Sequence, residues 1–185
     1  MNYLSFILLV VSSCSPPTTA DQNIQPLPTT KASKNSLTRT YWPLDHTPQQ
    51  NQTVLPGDPN YRITVVTTCL NDSAVINPIT TDTGPALDVS HNYESVLTVT
   101  KGTRLLEQVH LTKELFQHNQ VAQALGPLTT LALSRTAFTK YQAPEFHFTT
   151  RLGVPDSDIF AEAEVALLPN QKLRLVSVKM PRESE

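Results

Sequence analysis

Polar and titratable side chains cluster at one point of the chain, just before a stretch that is typical of a β-strand. The run His91-Asn92-Tyr93-Glu94 combines an imidazole, an amide, a phenol and a carboxylate. These groups donate and accept hydrogen bonds, so the run is a candidate binding site for a polar partner. The same side chains can instead hold a loop together by bonding to its own backbone. We favour this structural role for 91–94 and keep a binding site formed by His91, Asn92, Tyr93 and Glu94 as the alternative, since it is the first candidate site of the chain.

A second histidine, His147, lies between Phe146 and Phe148. Successive side chains of a strand point to opposite faces, so His147 faces away from both rings. If the rings face the core, His147 faces solvent or a groove, and we add it to the candidate binding residues. The five histidines show no HExxH motif and no ligand spacing, and Asp156-Ser157-Asp158 lacks the further ligands of a calcium loop. We therefore predict no metal site.

Two acidic patterns resemble parts of hydrolase sites. Asp82-Thr83-Gly84 matches the triplet that carries a catalytic carboxylate in aspartic proteases, which need two such carboxylates. The chain has one triplet, so we expect a turn with Gly84 at positive φ. Glu162 and Glu164 share one face of a predicted strand, roughly 7 Å apart by the strand rise. This separation suits an inverting glycosidase, but we favour a solvated strand face.

The composition argues against several other functions. The formal net charge is −2, so no sequence-wide positive field attracts nucleic acid. The chain lacks a GxSxG motif, a glycine-rich phosphate loop and a Rossmann fingerprint, and it has only five glycines. We therefore predict no nucleic-acid partner, no cofactor and no catalytic residues, and we favour a role other than catalysis.

The amino-terminal residues predict a lipid on Cys14. The apolar run from Leu4 to Val11 is too short to cross a bilayer, which takes roughly 20 residues, but it suits a signal peptide. Val11-Ser12-Ser13-Cys14 resembles the lipobox of bacterial lipoproteins, in which small residues precede the modified cysteine. We predict a signal peptide over 1–13 and lipidation of Cys14. Because Met1-Asn2-Tyr3 carries no Lys or Arg, a buried strand with a free cysteine is the alternative.

Lipid on Cys14 would fasten the protein to a membrane, since each buried methylene contributes roughly 0.8 kcal/mol. Ser15 follows the cysteine where an aspartate could stand, and this resembles lipoproteins of the Gram-negative outer membrane. No acidic cluster follows that would resemble a signal for display outside the cell. We expect an envelope protein that is anchored in the outer membrane and faces the periplasm.

The next residues are typical of a spacer. Eight of the fifteen prolines lie between 15 and 59, mixed with Thr, Gln, Asn and Lys, and apolar residues are isolated. Such a segment buries too little apolar surface to offset its ordering entropy. We predict a lipidated cysteine and a Pro/Thr-rich tether over 14–59. The exception is Tyr41-Trp42-Pro43-Leu44, which we expect to dock on the domain as a strap; an exposed recognition motif is the alternative.

Residues 60–181 are predicted to form one β-rich domain, because their hydrophobic period is mostly two. We expect a mainly β fold of about seven strands, in an antiparallel sheet that forms a sandwich or curves strongly. A short helical segment is expected near 112–125, as one bent helix or as two with Asn119 capping the second. The predicted strands cover 61–70, 94–100, 103–111, 128–139, 145–152, 159–168 and 172–180, with 73–79 as a weaker strand or an irregular return.

Two segments carry a family resemblance, 61–73 (YRITVVTTCLNDS) and 90–102 (SHNYESVLTVTKG). They resemble those of uncharacterised Bacteroidota lipoproteins, grouped as domain of unknown function 4738. The resemblance implies a Gram-negative envelope lipoprotein and supplies no activity or catalytic residues. Asp72-Ser73-Ala74 is similar to the site at which these bacteria attach O-glycans to exported proteins, so Ser73 is a candidate glycosylation site. A plain turn serine is the alternative.

Three functions follow from these observations. The first is an envelope lipoprotein whose β domain binds a protein or glycan partner or supports an assembly, because tethering raises its effective concentration near other envelope components. The second is a carrier of a small apolar ligand inside a curved sheet. The third is a hydrolase that uses His91, Asp88 or Glu94. The missing catalytic motifs favour the first.

Overall fold

A computed structural model describes residues 37–181, and this part of the chain is mainly β, as the two-residue period predicts. The predicted signal peptide, Cys14 and the tether up to residue 36 lie outside the described residues. Within 37–181, no helix is both long enough and apolar enough to span a membrane. The strands are β1 (Thr38–Tyr41), β2 (Gln49–Val54), β3 (Tyr61–Cys69), β4 (Val75–Thr81), β5 (Gly84–Ser90), β6 (Tyr93–Lys101), β7 (Arg104–Leu111), β8 (Ala132–Gln142), β9 (Glu145–Gly153), β10 (Phe160–Leu168) and β11 (Lys172–Lys179).

These strands form three sheets. In the first, β1 runs parallel to β5, and β5 pairs with β4 in an antiparallel hairpin. The second sheet is antiparallel with the order β2-β3-β6-β7, and the third is antiparallel with the order β11-β10-β9-β8. The second and third sheets form a sandwich-like arrangement around a hydrophobic core to which β3, β6, β9 and β10 contribute alternate residues. Ile63 and Val65 of β3, for example, are buried.

Strand β8 contacts both β3 and β6, and two bulges adapt it to this position. The register with β9 shifts between Ser134 and Ala137 and again between Phe138 and Lys140. The first bulge contains Arg135, whose φ is 51°. An extra residue in one strand bends it and redirects the side chains that follow. Thr136 is consequently buried, while Ser134 and Arg135 are exposed.

The helical segment consists of two short helices. A 3₁₀ helix covers Lys113–Phe116, and α1 covers Gln120–Leu125. The side chain of Asn119 accepts hydrogen bonds from the backbone N–H of Val121 and Ala122, at 3.0 and 3.1 Å. It satisfies amides that lack partners within the helix. Of the two arrangements that the sequence allows, the structure has the one in which Asn119 caps the second helix.

The structure differs from the sequence prediction in its strand count and in where the domain begins. It has eleven strands rather than about seven, and the added ones include β1 and β2, which lie inside the predicted tether. Every residue of β2 is exposed, so this strand is held by its ladder with β3 rather than by burial. Hydrophobic periodicity cannot detect such a strand. The folded domain therefore begins near residue 38 rather than at 60.

Turns from the sequence analysis match the observed hairpins. Gly102 connects β6 to β7 with a φ of 58°, and Gly84 follows the tip of the β4–β5 hairpin with a φ of 118°. Only a residue without a Cβ takes these conformations at little cost. Asp82-Thr83-Gly84 thus lies at a hairpin tip, as expected for a turn, and Asp82 is exposed.

Candidate functional site

A cleft of about 580 Å³ lies at one end of the sandwich, and we call it the Trp42 cleft. Its volume is within the range of ordinary ligand sites. The walls come from the segment that contains Trp42, from the end of β5 and the start of β6, and from the loop between β9 and β10. Its polar, charged and aromatic lining includes Trp42, Thr67, Ser90, His91, Tyr93, Arg135, Arg151, Asp156, Asp158 and Phe160.

Trp42 is fixed in the wall of the cleft by polar contacts. Its indole Nε1–H donates to both carboxylate oxygens of Asp88, at 2.9 and 2.8 Å, and its backbone N–H donates to Val89 O at 2.9 Å. Three residues after Trp42, Asp45 is held by the side-chain amide of Asn71. The backbone N–H of Asp45 donates to Oδ1 of Asn71, and Nδ2 of Asn71 donates to the backbone C=O of Asp45, both at 2.9 Å. The predicted docking of this strap is therefore present at Trp42, whereas Tyr41 is exposed.

Ser90 and His91 are the most deeply buried polar side chains of the cleft, 2% and 4% exposed. The backbone N–H of Ser73 donates to Nδ1 of His91 at 3.0 Å. Nδ1 must then be unprotonated, which places the ring hydrogen on Nε2. Within residues 37–181, neither this Nε2 nor Oγ of Ser90 has a hydrogen-bond partner. Buried polar groups without partners are costly, so these two atoms require an explanation.

Four buried hydroxyls run from the core to the cleft, and we call them the hydroxyl chain. They belong to Thr67, Ser95, Thr136 and Thr150, with successive oxygens 2.8, 2.8 and 2.9 Å apart. Thr150 also donates to Ser134 O, which can only accept. Each hydroxyl has one hydrogen, so the direction is set along the whole chain. Thr67 donates its hydrogen to Ser95. Toward the cleft, its oxygen can therefore only accept a hydrogen bond.

The first bulge of β8 and the loop after β9 bring charged side chains to the cleft. Arg135 reaches it from the bulge, and Asp156 and Asp158 come from the loop. These three charges form no ion pair within the described part of the chain. Arg151 is different, because it bonds Glu162 at 2.9 Å and lies 4.3 Å from the centre of the Phe160 ring. The cleft therefore contains one guanidinium and two carboxylates that are free to bind a ligand.

The structure separates the residues of the predicted 91–94 site. His91 and Tyr93 line the cleft. Burial, followed by the charges of Cys69 and Asp45, raises the pKa of Tyr93, so its phenol keeps its hydrogen at neutral pH. Glu94 lies outside the cleft and pairs with His110 at 2.7 Å.

Asn92 has a structural role in the adjoining loop. Its side-chain and backbone N–H groups donate to the carboxylate of Asp72, at 2.7 and 3.0 Å. Burial alone would raise the pKa of Asp72, but these hydrogen bonds and one from Ala74 outweigh it and hold the pKa below its usual 3.8. Ser73 follows with a φ of 51° and is half-buried rather than fully exposed. Its O-glycosylation stays a prediction.

His147 lies on the outer face of the third sheet, away from the cleft. It points away from Phe146 and Phe148 as predicted, but it is buried rather than facing solvent. Its Nδ1 lies 2.9 Å from Oε1 of Glu164, and Lys140 contacts the same oxygen at 3.0 Å. These neighbouring polar side chains cover the ring. We call Lys140, His147 and Glu164 the outer ionic cluster.

Glu162 and Glu164 both serve in ion pairs of this outer face, which agrees with a charged strand surface. The hydrogen bond from Lys140 is the main cause that lowers the pKa of Glu164 below its usual 4.5; burial opposes it, and the bond from His147 and the two positive charges add to the lowering. Among residues 37–181, no group of three or more His, Cys, Asp or Glu side chains is arranged to hold a metal ion.

Several cleft residues were not found by sequence analysis. Arg135 has no local motif, because only the bulge in β8 directs it to the cleft. Ser90 lies next to His91, but no pattern in the surrounding sequence indicates that it belongs to a binding site. Asp156 and Asp158 are typical of a polar turn in the sequence, and no spacing there indicates a binding role. No protein-family model matches the chain, and no curated protein sequence matches it.

Proposed function

We propose that the protein is a non-catalytic lipoprotein of a Gram-negative envelope, and that its β domain binds a partner in the Trp42 cleft. The observation that carries the proposal is the set of exposed charged side chains at the cleft, Arg135, Asp156 and Asp158, which form no ion pair within the described residues. A partner that supplies complementary charges or hydrogen bonds would engage them. Oγ of Ser90 and Nε2 of His91 are buried in the lining without a hydrogen-bond partner in the described residues, and such groups cost roughly 1–3 kcal/mol each.

The contacts of the cleft favour binding over hydrolysis. A serine nucleophile needs a histidine base that is itself oriented by a carboxylate. Ser90 and His91 are not hydrogen-bonded to each other, and Nδ1 of His91 accepts from a backbone N–H. Both oxygens of Asp88 are engaged by Trp42. Asp88, Glu94 and Nδ1 of His91, the groups of the alternative hydrolase, are therefore engaged by Trp42, His110 and Ser73.

The anchored location belongs to the same proposal and rests on the sequence. The lipobox at Cys14 and the proline-rich residues after it support a tethered protein in the outer membrane, facing the periplasm. The resemblance of 61–73 and 90–102 to domain of unknown function 4738 supports the Gram-negative assignment. A tether would keep the domain at high effective concentration near its partner, so a weak individual contact would suffice.

Crosslinking in intact envelopes tests the binding role. The wild-type protein should yield reproducible adducts, and Arg135→Gly, which removes the free guanidinium, should yield fewer. Arg104→Ala is the matched control, since Arg104 is an exposed arginine of β7 that does not line the cleft. The absence of reproducible adducts, or equal adducts from both variants, would contradict binding through the cleft.

Fractionation tests the anchor. Cys14→Ala should move the protein out of the membrane fraction and abolish palmitate labelling, because no other residue of the lipobox can carry the lipid. Cys69→Ala is the matched control, since Cys69 is the only other cysteine and lies at the end of β3. Unchanged membrane retention of Cys14→Ala would refute the lipoprotein assignment.

A further inference from the structure

We infer that the Trp42 cleft binds an uncharged saccharide, an inference that rests on the proposed binding function and names its ligand class. The cleft carries both signs of charge without an excess of positive charge. Arg135, Arg151, Asp156 and Asp158 all line it, and Arg151 is already paired with Glu162. The free charges are then one guanidinium and two carboxylates, so an anionic ligand would find no net attraction there. An uncharged ligand would be selected by hydrogen bonding and shape.

The polar groups of the cleft match the chemistry of sugar hydroxyls, each of which both donates and accepts. Arg135 donates only, whereas Asp156, Asp158 and the oxygen of Thr67 accept only. Tyr93 can do both. A ligand with several neighbouring hydroxyls satisfies this mixture, whereas an apolar ligand would leave these polar groups of the lining without partners. Such a mismatch is heavily penalised.

Aromatic rings supply the remaining part of a saccharide site. Trp42, Tyr93 and Phe160 all line the cleft. The C–H groups on one face of a sugar ring are apolar and pack against aromatic faces. Asp88 holds the indole of Trp42 by two hydrogen bonds, so the ring is fixed before a ligand arrives. Pre-organisation of this kind reduces the entropic cost of binding.

The strained backbone at Arg135 is consistent with selection for a ligand. A positive φ is uncommon for an arginine and disfavours the folded state. The bulge that imposes it also directs the guanidinium to the cleft, and that guanidinium has no acidic partner in the described residues. Strained residues of this kind concentrate at binding sites.

Fluorescence titration tests the inference, because Trp42 is the only tryptophan of the chain and reports directly on the cleft. The full-length protein, in a zwitterionic detergent without a sugar headgroup, is titrated with neutral oligosaccharides of glucose, galactose, mannose and N-acetylglucosamine. Sialyllactose and inorganic phosphate serve as charged comparators. We expect saturable changes with at least one neutral oligosaccharide and none with phosphate.

Arg135→Gly should weaken that binding about tenfold or more, the effect of losing a hydrogen bond from a charged group. Asp158→Asn should weaken it as well, and Arg104→Ala should leave it unchanged. Calorimetry with the same oligosaccharide checks that the optical change reports binding. Unfolding of each variant is followed separately, so that a loss of fold is not counted as a loss of affinity.

The results separate this inference from the proposed function. If no neutral oligosaccharide binds, or if phosphate or sialyllactose binds instead, the saccharide inference is overturned, while crosslinked partners that depend on Arg135 would still support the binding role. Equal affinity of Arg135→Gly and the wild type also overturns it. Failure of both the titration and the crosslinking would remove the proposed function too.

Discussion

Arg135 lies at the cleft with a backbone conformation that disfavours the folded state. Its φ of 51° lies in the left-handed region, where an L-residue with a Cβ is disfavoured by about 1 kcal/mol. Glycine adopts this conformation without that cost, but it also gives the unfolded chain more freedom. The relief of strain in the folded state and the added freedom of the unfolded chain therefore nearly cancel, or leave the glycine variant slightly more stable.

Arg135→Gly should therefore leave the free energy of unfolding unchanged or raise it by up to about 1 kcal/mol, even as it weakens ligand binding. Urea denaturation measures the change. Ser134→Gly is the matched control, since Ser134 is the exposed neighbour in β8 and lacks a positive φ. The free energy of unfolding of Ser134→Gly should fall by about 0.5–1 kcal/mol. A large loss of stability from Arg135→Gly would show that the bulge needs the arginine for folding.

The hydroxyl chain makes a second prediction at single residues. Ser95 lies in the middle, where it accepts from Thr67 and donates to Thr136. Ser95→Ala leaves a buried donor and a buried acceptor unsatisfied, and should lower the free energy of unfolding by about 1–3 kcal/mol.

Thr98→Ala provides the comparison, because Thr98 lies on the opposite face of the same strand and is half-buried. Its loss should be smaller. Equal losses in chemical denaturation would mean that the hydroxyl chain adds nothing beyond ordinary strand packing.

The outer ionic cluster acts at the scale of elements, since it joins β8, β9 and β10 on one face of the third sheet. Contacts to Lys140 and His147 hold the pKa of Glu164 below its usual 4.5. A carboxylate with a lowered pKa stabilises the fold above its unfolded pKa, and this contribution disappears as the pH falls through the folded value.

Glu164→Gln should therefore lower the melting temperature at neutral pH, and the difference from the wild type should shrink as the pH falls below about 4.5. Thermal melts across this range measure it. Glu114→Gln is a control, because Glu114 is an exposed glutamate of the 3₁₀ helix without an ion pair in the described chain. A difference that is independent of pH would show that the ion pairs of Glu164 add no stability.

The sequence predicts the elements that follow the simplest physical rules. Two features of the sequence identified strands of the second sheet. Apolar residues alternate in β3 and β6 because one face of each strand packs on the core, and the glycine before β7 marks a tight turn. In contrast, β2 is wholly exposed and β8 contains two bulges, so hydrophobic period could not give the pairing of either strand. The candidate site was likewise predicted only in part, because some of its residues depend on strand irregularities. His91 lies at a visible polar cluster, whereas Arg135 reaches the cleft only through a bulge.

At the scale of the whole molecule, the two strands before residue 55 each cover an edge strand of a different sheet. β1 covers one edge of β5, and β2 covers one edge of β3. A chain that begins at residue 60 would expose both edges, and uncovered strand edges pair with other chains.

Such a shortened chain should therefore form larger species than a chain that begins at residue 37, and its cleft should lose a wall with Trp42. Size-exclusion chromatography with light scattering compares the two. If both chains have the same oligomeric state and the same melting temperature, β1 and β2 contribute little to the fold.

Trp42 belongs both to the wall of the cleft and to the segment through which the folded domain continues toward its amino terminus. Mechanical tension on that segment would act first on β1, which among residues 37–181 pairs only with β5 in a short ladder. Peeling β1 away would pull the indole from Asp88 and open the cleft, so a stretched protein would release a ligand held there. Conversely, an occupied cleft would resist the pull, since whatever binds against the indole must leave before the strand can detach.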